Sequence, residues 1–193
     1  MARIEPIPVR DWPEGMRDAM AALRPANPRH PFPAPDANRP KALNALGTFA
    51  RHPELARAFN TFNGHILFAS RLSPRQRELL VLRVAVLRGC EYERLQHEVL
   101  AAEAGLSPDE LARISAGPEA GGWSTLDAAL LRAVDELLRD GVIADETWST
   151  LAAHLDTEQL IDVVFTIGAY EILAFAFRSF GVEIDDDLKQ LDL

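Results

Sequence analysis

Residues 72–111, LSPRQRELLVLRVAVLRGCEYERLQHEVLAAEAGLSPDEL, predict two consecutive helices joined at a glycine. Ser73 followed by Pro74 is typical of a helix start, because a serine side chain caps free N–H groups and proline fits the first helical position. Leucines, valines and alanines fill the following turns up to Gly89, which ends the first helix. The second helix is expected from about residue 90 to residue 104, before Gly105 stops it.

The chain beyond residue 41 shows helical periodicity throughout. Besides the two helices above, we expect helices at 41–50, 53–69, 107–117, 124–139, 145–154 and 157–178. The last is apolar on nearly every side, which is typical of a helix buried in a bundle or in a subunit interface. No segment alternates apolar and polar residues as a half-buried strand does. The predicted fold class is therefore all-α.

The first 40 residues differ, since they hold nine of the 13 prolines. Proline lacks an N–H and restricts the residue before it, so long helices are excluded there. We predict a proline-rich irregular arm over 1–40, with one short helix at 13–23 and an extended stretch at 24–39 that lies across the body or reaches another subunit. A single all-α domain over 41–185 and a tail over 186–193 complete the organisation.

Charge and composition exclude several classes of function. The formal net charge of -9 argues against nucleic-acid binding, which needs clustered cations, and we interpret five arginines between residues 71 and 88 as solvated surface. One cysteine forms no intramolecular disulfide, and the first residues lack the apolar run of a signal peptide. The apolar run 161–177 contains two acids and is shorter than the ~20 residues of a membrane span. We expect a cytoplasmic protein with no membrane contact.

Four side chains of the quoted segment are candidates for chemistry. At 100° per residue, Cys90 and His97 lie only 20° short of two full turns apart, and Glu93 precedes His97 by four residues, so the three share one helix face. Glu78 lies 11 residues before Gly89 and His97 lies 8 after it. In an antiparallel pair their heights above the turn are ~16 and ~12 Å. We expect Glu78, Glu93 and His97 to cluster, with Cys90 one turn from Glu93 and more than ~10 Å below Glu78.

This spacing of Glu78, Cys90, position 93 and His97, followed by AAEAGLS, resembles the carboxymuconolactone decarboxylase and alkylhydroperoxidase (AhpD-like) family, with residues 73–116 as the motif region. The resemblance implies an AhpD-like helical bundle without an organic cofactor that forms dimers or larger homo-oligomers. In the peroxidase branch the motif is Cys-x-x-Cys, and its second cysteine is peroxidatic. Here Glu93 stands at that position, so the disulfide of that cycle cannot form within the chain. The decarboxylase branch carries a glutamate four residues before the histidine, as in this sequence.

The leading hypothesis is therefore an enzyme performing cofactor-free acid–base chemistry, a decarboxylation or a lactone-type transformation, on a small organic acid. His97 is the predicted proton shuttle, flanked by the carboxylates of Glu78 and Glu93, and Cys90 lines the pocket. For substrate binding the candidates are Arg77, Arg94 and Tyr92.

Other interpretations stay open at this stage. A one-cysteine hydroperoxidase with peroxiredoxin-like activity would use Cys90 with an external thiol, and a non-catalytic oligomer would keep only the fold. Taken singly, Cys90 is typical of a small core hydrophobe, and Glu93 with His97 of an ordinary i, i+4 pair. Cys, His and Glu are also metal ligands, but zinc sites favour paired Cys or paired His, so we predict no metal.

Overall fold

The computed structural model describes residues 1–32 and 40–189, and this part of the chain contains nine α-helices and no strand. The predicted all-α class is confirmed. In chain order the helices are α1 (Gly15–Ala21), α2 (Leu43–Phe49), α3 (Pro53–Gly64), α4 (Pro74–Arg88), α5 (Glu91–Glu103), α6 (Pro108–Ala116), α7 (Thr125–Asp140), α8 (Asp145–Ala152) and α9 (Thr157–Phe180).

The start of α4 and the turn into α5 follow the local chemistry read from the sequence. The Ser73 hydroxyl accepts from the Gln76 N–H at 3.2 Å, and the Gln76 side chain accepts from the Ser73 N–H at 2.8 Å, which is a complete capping box. Gly89 adopts a left-handed φ of 57°. The N–H of Cys90 then donates to the Ala85 carbonyl at 2.9 Å, so α5 starts at once and packs back on α4.

The predicted single helix over 53–69 is wrong in its last turn. Regular α-helix ends at Gly64, and a π-helical turn, His65–Ala69, follows. The N–H of Ser70 donates to the carbonyl of His65, five residues back, at 2.7 Å.

Contacts divide the chain into two compact units, Met1–Ser70 with Phe175–Leu193, and Arg71–Ala174. In the first unit Met16, Ala19, Ala50 and Ala56 form a buried core. The N-terminal residues are packed against α2, because the Ile7 N–H donates to the carbonyl of Gly47 at 2.9 Å. A Cβ at Gly47 would stand 2.6 Å from the Ile7 carbonyl oxygen, so only glycine permits this approach.

The arm contains the predicted short helix as α1, preceded by a 3-10 turn at Val9–Asp11. Residues 24–32 of the predicted extended stretch are irregular, and the N–H groups of Arg29 and His30 both donate to the carbonyl of Phe68, at 2.6 and 3.0 Å. This part of the stretch therefore lies on its own chain. Residues 33–39 of that prediction, and 190–193 of the predicted tail, lie outside the described residues.

In the second unit α4 is the central helix and packs against α5, α6 and α7. Most of its apolar side chains are almost fully buried, among them Leu79, Leu80 and Val84, whereas Leu87 near its end is 39% exposed. The interpretation of its arginines as solvated surface is wrong for Arg83, which is 7% exposed. Arg83 forms a bidentate pair with Asp135 on α7, at 2.7 and 2.9 Å, and also donates to the Ile114 carbonyl on α6. A fully paired guanidinium can be buried where a free one cannot.

Helix α9 is apolar but two-faced. Its polar side chains Asp162, Thr166 and Tyr170 are buried, whereas Ile161, Phe165 and other large apolar side chains are exposed. By length and composition this helix could cross a membrane, with a mean hydropathy of 1.9 over its most apolar window and 56% of that window buried inside the protein. The prediction of burial in a bundle therefore holds for one face, and burial of the other face in a subunit interface stays a prediction.

Candidate active site

The structure brings Glu78 and His97 together across the α4–α5 pair. His97 Nδ1 lies 2.6 Å from Glu78 Oε2, and the two side chains are 10% and 0% exposed. Because α5 folds back on α4 after Gly89, Glu78 and His97 lie side by side on the two helices, as the residue counts on either side of Gly89 predict. A carboxylate only accepts, so Nδ1 carries the hydrogen and Nε2 is left to accept or deliver a proton. This pair is shielded from bulk water.

Arg77 completes the surroundings of Glu78. Its Nε donates to Glu78 Oε1 at 2.8 Å, so each carboxylate oxygen of Glu78 has its own donor. Arg77 is only 8% exposed. The interpretation of Arg77 as solvated surface is therefore wrong, because its guanidinium is buried against Glu78, and its role toward a substrate stays a prediction. It orients the carboxylate that orients His97.

The charge of Glu78 follows from these contacts. Burial raises the pKa of Glu78, but the positive charge of His97, its hydrogen bond and the Arg77 guanidinium together outweigh burial and lower that pKa below its ordinary value. Glu78 is thus the ionised member of the site.

Glu93 has a contrasting environment. Its side chain is 1% exposed, and within residues 1–32 and 40–189 neither carboxyl oxygen has a hydrogen-bond partner. Burial first, and then the negative charge of Glu171, raise the pKa of Glu93 well above its ordinary value. The sequence led us to expect carboxylates on both sides of the imidazole. Among the described residues His97 has a hydrogen bond to one carboxylate, Glu78, and Glu93 is a separate carboxyl group on the same helix whose pKa shift favours its neutral form.

Two residues of α9 join this group, and neither belongs to the motif region. The ring of Tyr170 meets the ring of His97 edge to face, with centroids 4.8 Å apart. Burial, followed by the charge of Glu78, raises the pKa of Tyr170 well above 10. The next residue, Glu171, accepts from Arg88 of α4 at 2.6 to 2.8 Å. A tyrosine and a glutamate inside an apolar helix are the signal in the sequence, since both need partners when buried.

Cys90 is the N-cap residue of α5 and is 2% exposed. Its backbone N–H is used in the turn after α4, and its side chain makes no capping hydrogen bond. The thiol therefore lies at the positive end of α5, on the helix that carries Glu93 and His97. The closed position is typical of a lining residue as much as of a reactive one.

The remaining predicted substrate-binding residues differ in accessibility. Arg94 is 36% exposed in its side chain and forms an i, i+4 ion pair with Glu98. Tyr92 is 4% exposed. Any role of Arg94 toward an anionic substrate would therefore compete with Glu98, and Tyr92 is packed inside the second unit. Neither side chain is an open binding group in this structure.

The site coincides neither with a group of possible metal ligands among the described residues nor with the cavity at the ends of α4 and α7. Within the residues that the structure describes, no three His, Cys, Asp or Glu side chains are grouped so as to hold a metal ion. An open cavity of about 370 Å³ lies at the ends of α4 and α7. It is lined by Leu87, Arg88, Asp135, Leu138 and Arg139. None of Glu78, Glu93 and His97 lines this cavity.

Comparison with known proteins connects the site to a family. Residues 53–136 match the model of the Carboxymuconolactone decarboxylase family, and the resemblance read from the motif is confirmed over this segment. The segment includes α4 and α5 whole, and hence Glu78, Cys90, Glu93 and His97. A search of curated proteins finds no match.

Solved structures share the fold along most of the chain. An alkylhydroperoxidase AhpD core, an uncharacterized peroxidase-related protein from Ralstonia eutropha JMP134, is 18% identical with a TM-score of 0.67, over 83% of this chain and 94% of that one. A protein of unknown function from Agrobacterium tumefaciens, described as a proposed antioxidant defence protein AhpD, is 24% identical with a TM-score of 0.66, over 71% and 94%. The debrominase Bmp8 is 15% identical with a TM-score of 0.70, over 96% and 94%. At these identities the likeness shows an AhpD-like fold.

Proposed function

Starting from a segment of the carboxymuconolactone decarboxylase family, we propose that this protein is an acid–base enzyme that decarboxylates a small organic acid or transforms a lactone without an organic cofactor. One observation carries the proposal. The site holds two buried carboxyl groups whose pKa values shift in opposite directions: the pKa of Glu78, which is bound to His97, is lowered, and the pKa of Glu93, which has no hydrogen-bond partner among the described residues, is raised. Two titratable groups whose pKa values are driven apart are the usual basis of an acid and base assignment.

His97 is the proton carrier in this proposal. Glu78, held by Arg77, fixes the hydrogen on Nδ1 and orients the ring, so Nε2 exchanges the proton with the substrate. In a decarboxylation the bond from carbon to the leaving carboxylate breaks, and its electron pair moves into an adjacent carbonyl. The resulting carbanion centre takes a proton from Nε2, carbon dioxide leaves, and solvent restores the proton to the imidazole. An imidazole that keeps its hydrogen on Nδ1 can both give and take a proton at Nε2, which suits a proton carrier.

Glu93 supplies the second function, a hydrogen-bond donor. A carboxylic acid kept neutral by burial donates its O–H to an oxygen that gains negative charge, such as the enolate oxygen of a decarboxylation or the carbonyl oxygen of an attacked lactone. Its lack of a partner within the described residues supports this role, because a buried carboxyl without a hydrogen bond is costly unless a ligand completes it. Substrate oxygen would provide that partner.

The size of the substrate is also part of the proposal. A cysteine-to-alanine variant of the debrominase Bmp8, 15% identical with a TM-score of 0.68 over 96% of this chain, was solved in complex with 2,3,4-tribromopyrrole. That relative binds a small ring compound. A ring-sized lactone or keto acid is compatible with the confined surroundings of His97 and Tyr170.

The test is a screen of β-keto acids and γ-lactones followed by NMR, with carbon dioxide release measured in parallel. We expect turnover by the wild type, a loss of about 10²-fold or more for His97→Gln, and a similar loss for Glu93→Leu. The matched control is His154→Gln, an exposed histidine on the loop after α8, which should keep full activity. Equal rates for wild type and His97→Gln on every substrate that turns over would contradict the proposal.

A one-cysteine hydroperoxidase is the second candidate, supported by the position of Cys90 at the N-terminus of α5. The relevant measurement is the rate of Cys90 oxidation by an alkyl hydroperoxide, followed by intact mass with free cysteine as reference. Our proposal expects a rate no faster than the reference. Much faster oxidation that is lost in His97→Ala would replace the acid–base reaction by the peroxidase.

A further inference from the structure

Thr166, in the middle of α9, carries a buried hydroxyl that has no hydrogen-bond partner among the described residues. The residue is 0% exposed. A threonine inside a helix ordinarily donates to the carbonyl four residues earlier. Thr48, Thr61 and Thr150 of this chain do so, at 2.8, 2.9 and 3.0 Å. Because an unmade hydrogen bond of a buried hydroxyl is costly, the orphaned group at Thr166 is typical of one that a ligand completes.

Two contacts fix the direction and height of α9 beside α4. Asp162 accepts from the backbone N–H of Arg71 at 2.6 Å, shortly before α4 begins. Nine residues further along the chain, Glu171 accepts from Arg88, the last residue of α4, at 2.7 and 2.8 Å. The two helices therefore run in the same direction, and the part of α9 between these contacts lies along α4.

Thr166 lies at about the height of the pair formed by Glu78 and His97. It is four residues into the nine-residue interval between the two contacts on α9, and Glu78 is seven residues into the seventeen-residue interval on α4, so both are slightly less than half way. Tyr170, one turn after Thr166 on the same buried face, meets the ring of His97 with centroids 4.8 Å apart. Helix side chains lean toward the N-terminus, so the Tyr170 ring extends toward the turn of Thr166. Thr166 therefore belongs to the surroundings of His97.

The geometry of α5 separates Glu93 from Thr166. Glu93 precedes His97 by four residues, which is ~6 Å along the helix axis toward Gly89. The site thus has two buried groups without partners among the described residues, Glu93 at one height and Thr166 at the height of His97. One ligand that completes both groups must carry two oxygen functions separated by several bonds. A keto acid meets this requirement, whereas the two oxygens of a simple lactone are bonded to the same carbon.

We propose that Thr166 is a substrate-binding residue whose hydroxyl donates to the carboxylate of a small keto acid, while Glu93 binds the ketone oxygen of the same molecule. The inference rests on the proposed function, because it names the substrate class of that acid–base site. In a β-keto acid the carbon between the two oxygen functions is the one that takes a proton after carbon dioxide leaves. Thr166 and Glu93 hold the substrate by its two ends, and Nε2 of His97 serves the carbon between them.

The test measures binding by NMR titration with two probes that do not react. Levulinate is a keto acid whose ketone lies one carbon too far away to take up the electron pair of a decarboxylation, and 2-pentanone has a methyl group in place of its carboxylate. We expect the wild type to bind levulinate more tightly than 2-pentanone. Thr166→Val, which exchanges the hydroxyl for a methyl group, should weaken levulinate binding about tenfold or more and leave 2-pentanone binding unchanged. Thr166→Ser keeps the hydroxyl and should retain most of the levulinate affinity.

Thermal stability of the ligand-free protein separates this role from a structural one. Thr166→Val should raise the melting temperature, because the variant no longer buries a hydroxyl without a partner. The variant thus gains stability and loses levulinate affinity, which a residue that only supports the fold would not do. Thr150→Val on α8 is the matched control, since the Thr150 hydroxyl already donates to the Glu146 carbonyl, and it should bind levulinate as the wild type does.

Three results would overturn the inference: no levulinate binding by the wild type, equal levulinate affinity of the wild type and Thr166→Val, or a lower melting temperature of Thr166→Val. Turnover is measured separately, so that the inference and the proposed function fail in different ways. Levulinate binding in the expected order without turnover of any keto acid would support the inference and contradict the proposed reaction. Turnover of lactones alone, lost in His97→Gln and unchanged in Thr166→Val, would support the reaction and overturn the inference.

Discussion

Glu78 and Glu93 occupy neighbouring helices at nearly equal depth, with exposures of 0 and 1%, and differ in every contact. Glu78 accepts from Arg77 and His97, one donor on each oxygen, whereas neither oxygen of Glu93 has a partner among the described residues. Burial pushes the pKa of both groups upward, and only Glu78 has the cations that reverse it. The difference shows that partners, rather than depth, decide the direction in which the pKa of a buried carboxyl group shifts.

The largest expected effect comes from removing the charge of Glu78. Glu78→Gln leaves Arg77 buried without its carboxylate, and breaking such a buried pair costs about 3–5 kcal/mol of unfolding free energy near neutral pH. Because the pKa of Glu78 is lowered on folding, its contribution is present above the ordinary value of about 4.3 and is lost as pH falls through the folded-state value. Urea unfolding of the wild type and Glu78→Gln at several pH values measures both the loss of unfolding free energy and its pH dependence.

Glu119→Gln is the control for that series, since Glu119 pairs with Arg132 while its own side chain is 81% exposed. We expect no measurable loss in this variant. If Glu78→Gln were as stable as Glu119→Gln, the claim that Glu78 is a charged group stabilised by its buried partners would be wrong.

The next effect in size belongs to Glu93 and has the opposite sign of pH dependence. Its pKa is raised on folding, so between about 4.3 and the folded-state value the unfolded chain is ionised and the folded chain is not. The wild type should lose about 1.4 kcal/mol of unfolding free energy per pH unit through this group over that window. Glu93→Gln removes that slope and should be increasingly stable relative to wild type as pH rises. Parallel stability curves for the two proteins would remove the basis for a neutral Glu93.

The smallest effect is expected at Glu98 on the outer side of α5. Glu98 and Arg94 form an i, i+4 pair whose side chains are 17 and 36% exposed. Such pairs contribute about 0.3–0.5 kcal/mol, so Glu98→Gln should change the unfolding free energy only slightly and without new pH dependence. Differential scanning calorimetry of the wild type and Glu98→Gln measures this small change in stability. A loss as large as that of Glu78→Gln would mean that burial of a partner is not what separates these glutamates.

The sequence predicts most helices because caps and glycines act locally. Ser73 with Pro74, and Gly89 with its left-handed φ, mark the start and end of α4 as read from the residues. The meeting of Glu78 and His97 also follows from counting residues on either side of Gly89. The π-turn after Gly64 has no such local mark, because it depends on one backbone bond from Ser70 to His65.

What the sequence does not reveal is which polar groups find partners across helices. Arginine is ordinarily a surface residue. Arg77 and Arg83 are buried because Glu78 and Asp135 lie where they can pair with them. Likewise, an i, i+4 spacing permits a contact between Glu93 and His97 without requiring it. The approach of Tyr170 to His97 joins residues 73 positions apart, which no local pattern encodes.

The protonation state of Glu93 near neutral pH tests the central claim most directly. The measurement is the infrared difference spectrum between the wild type and Glu93→Gln, with Glu98→Gln as the matched reference. The account predicts that Glu93→Gln removes the carbonyl band of a protonated carboxylic acid and leaves the carboxylate bands unchanged. Loss of carboxylate bands instead would show that Glu93 is ionised, and would contradict the assignment of an ionised Glu78 and a neutral Glu93 to the two halves of one acid–base site.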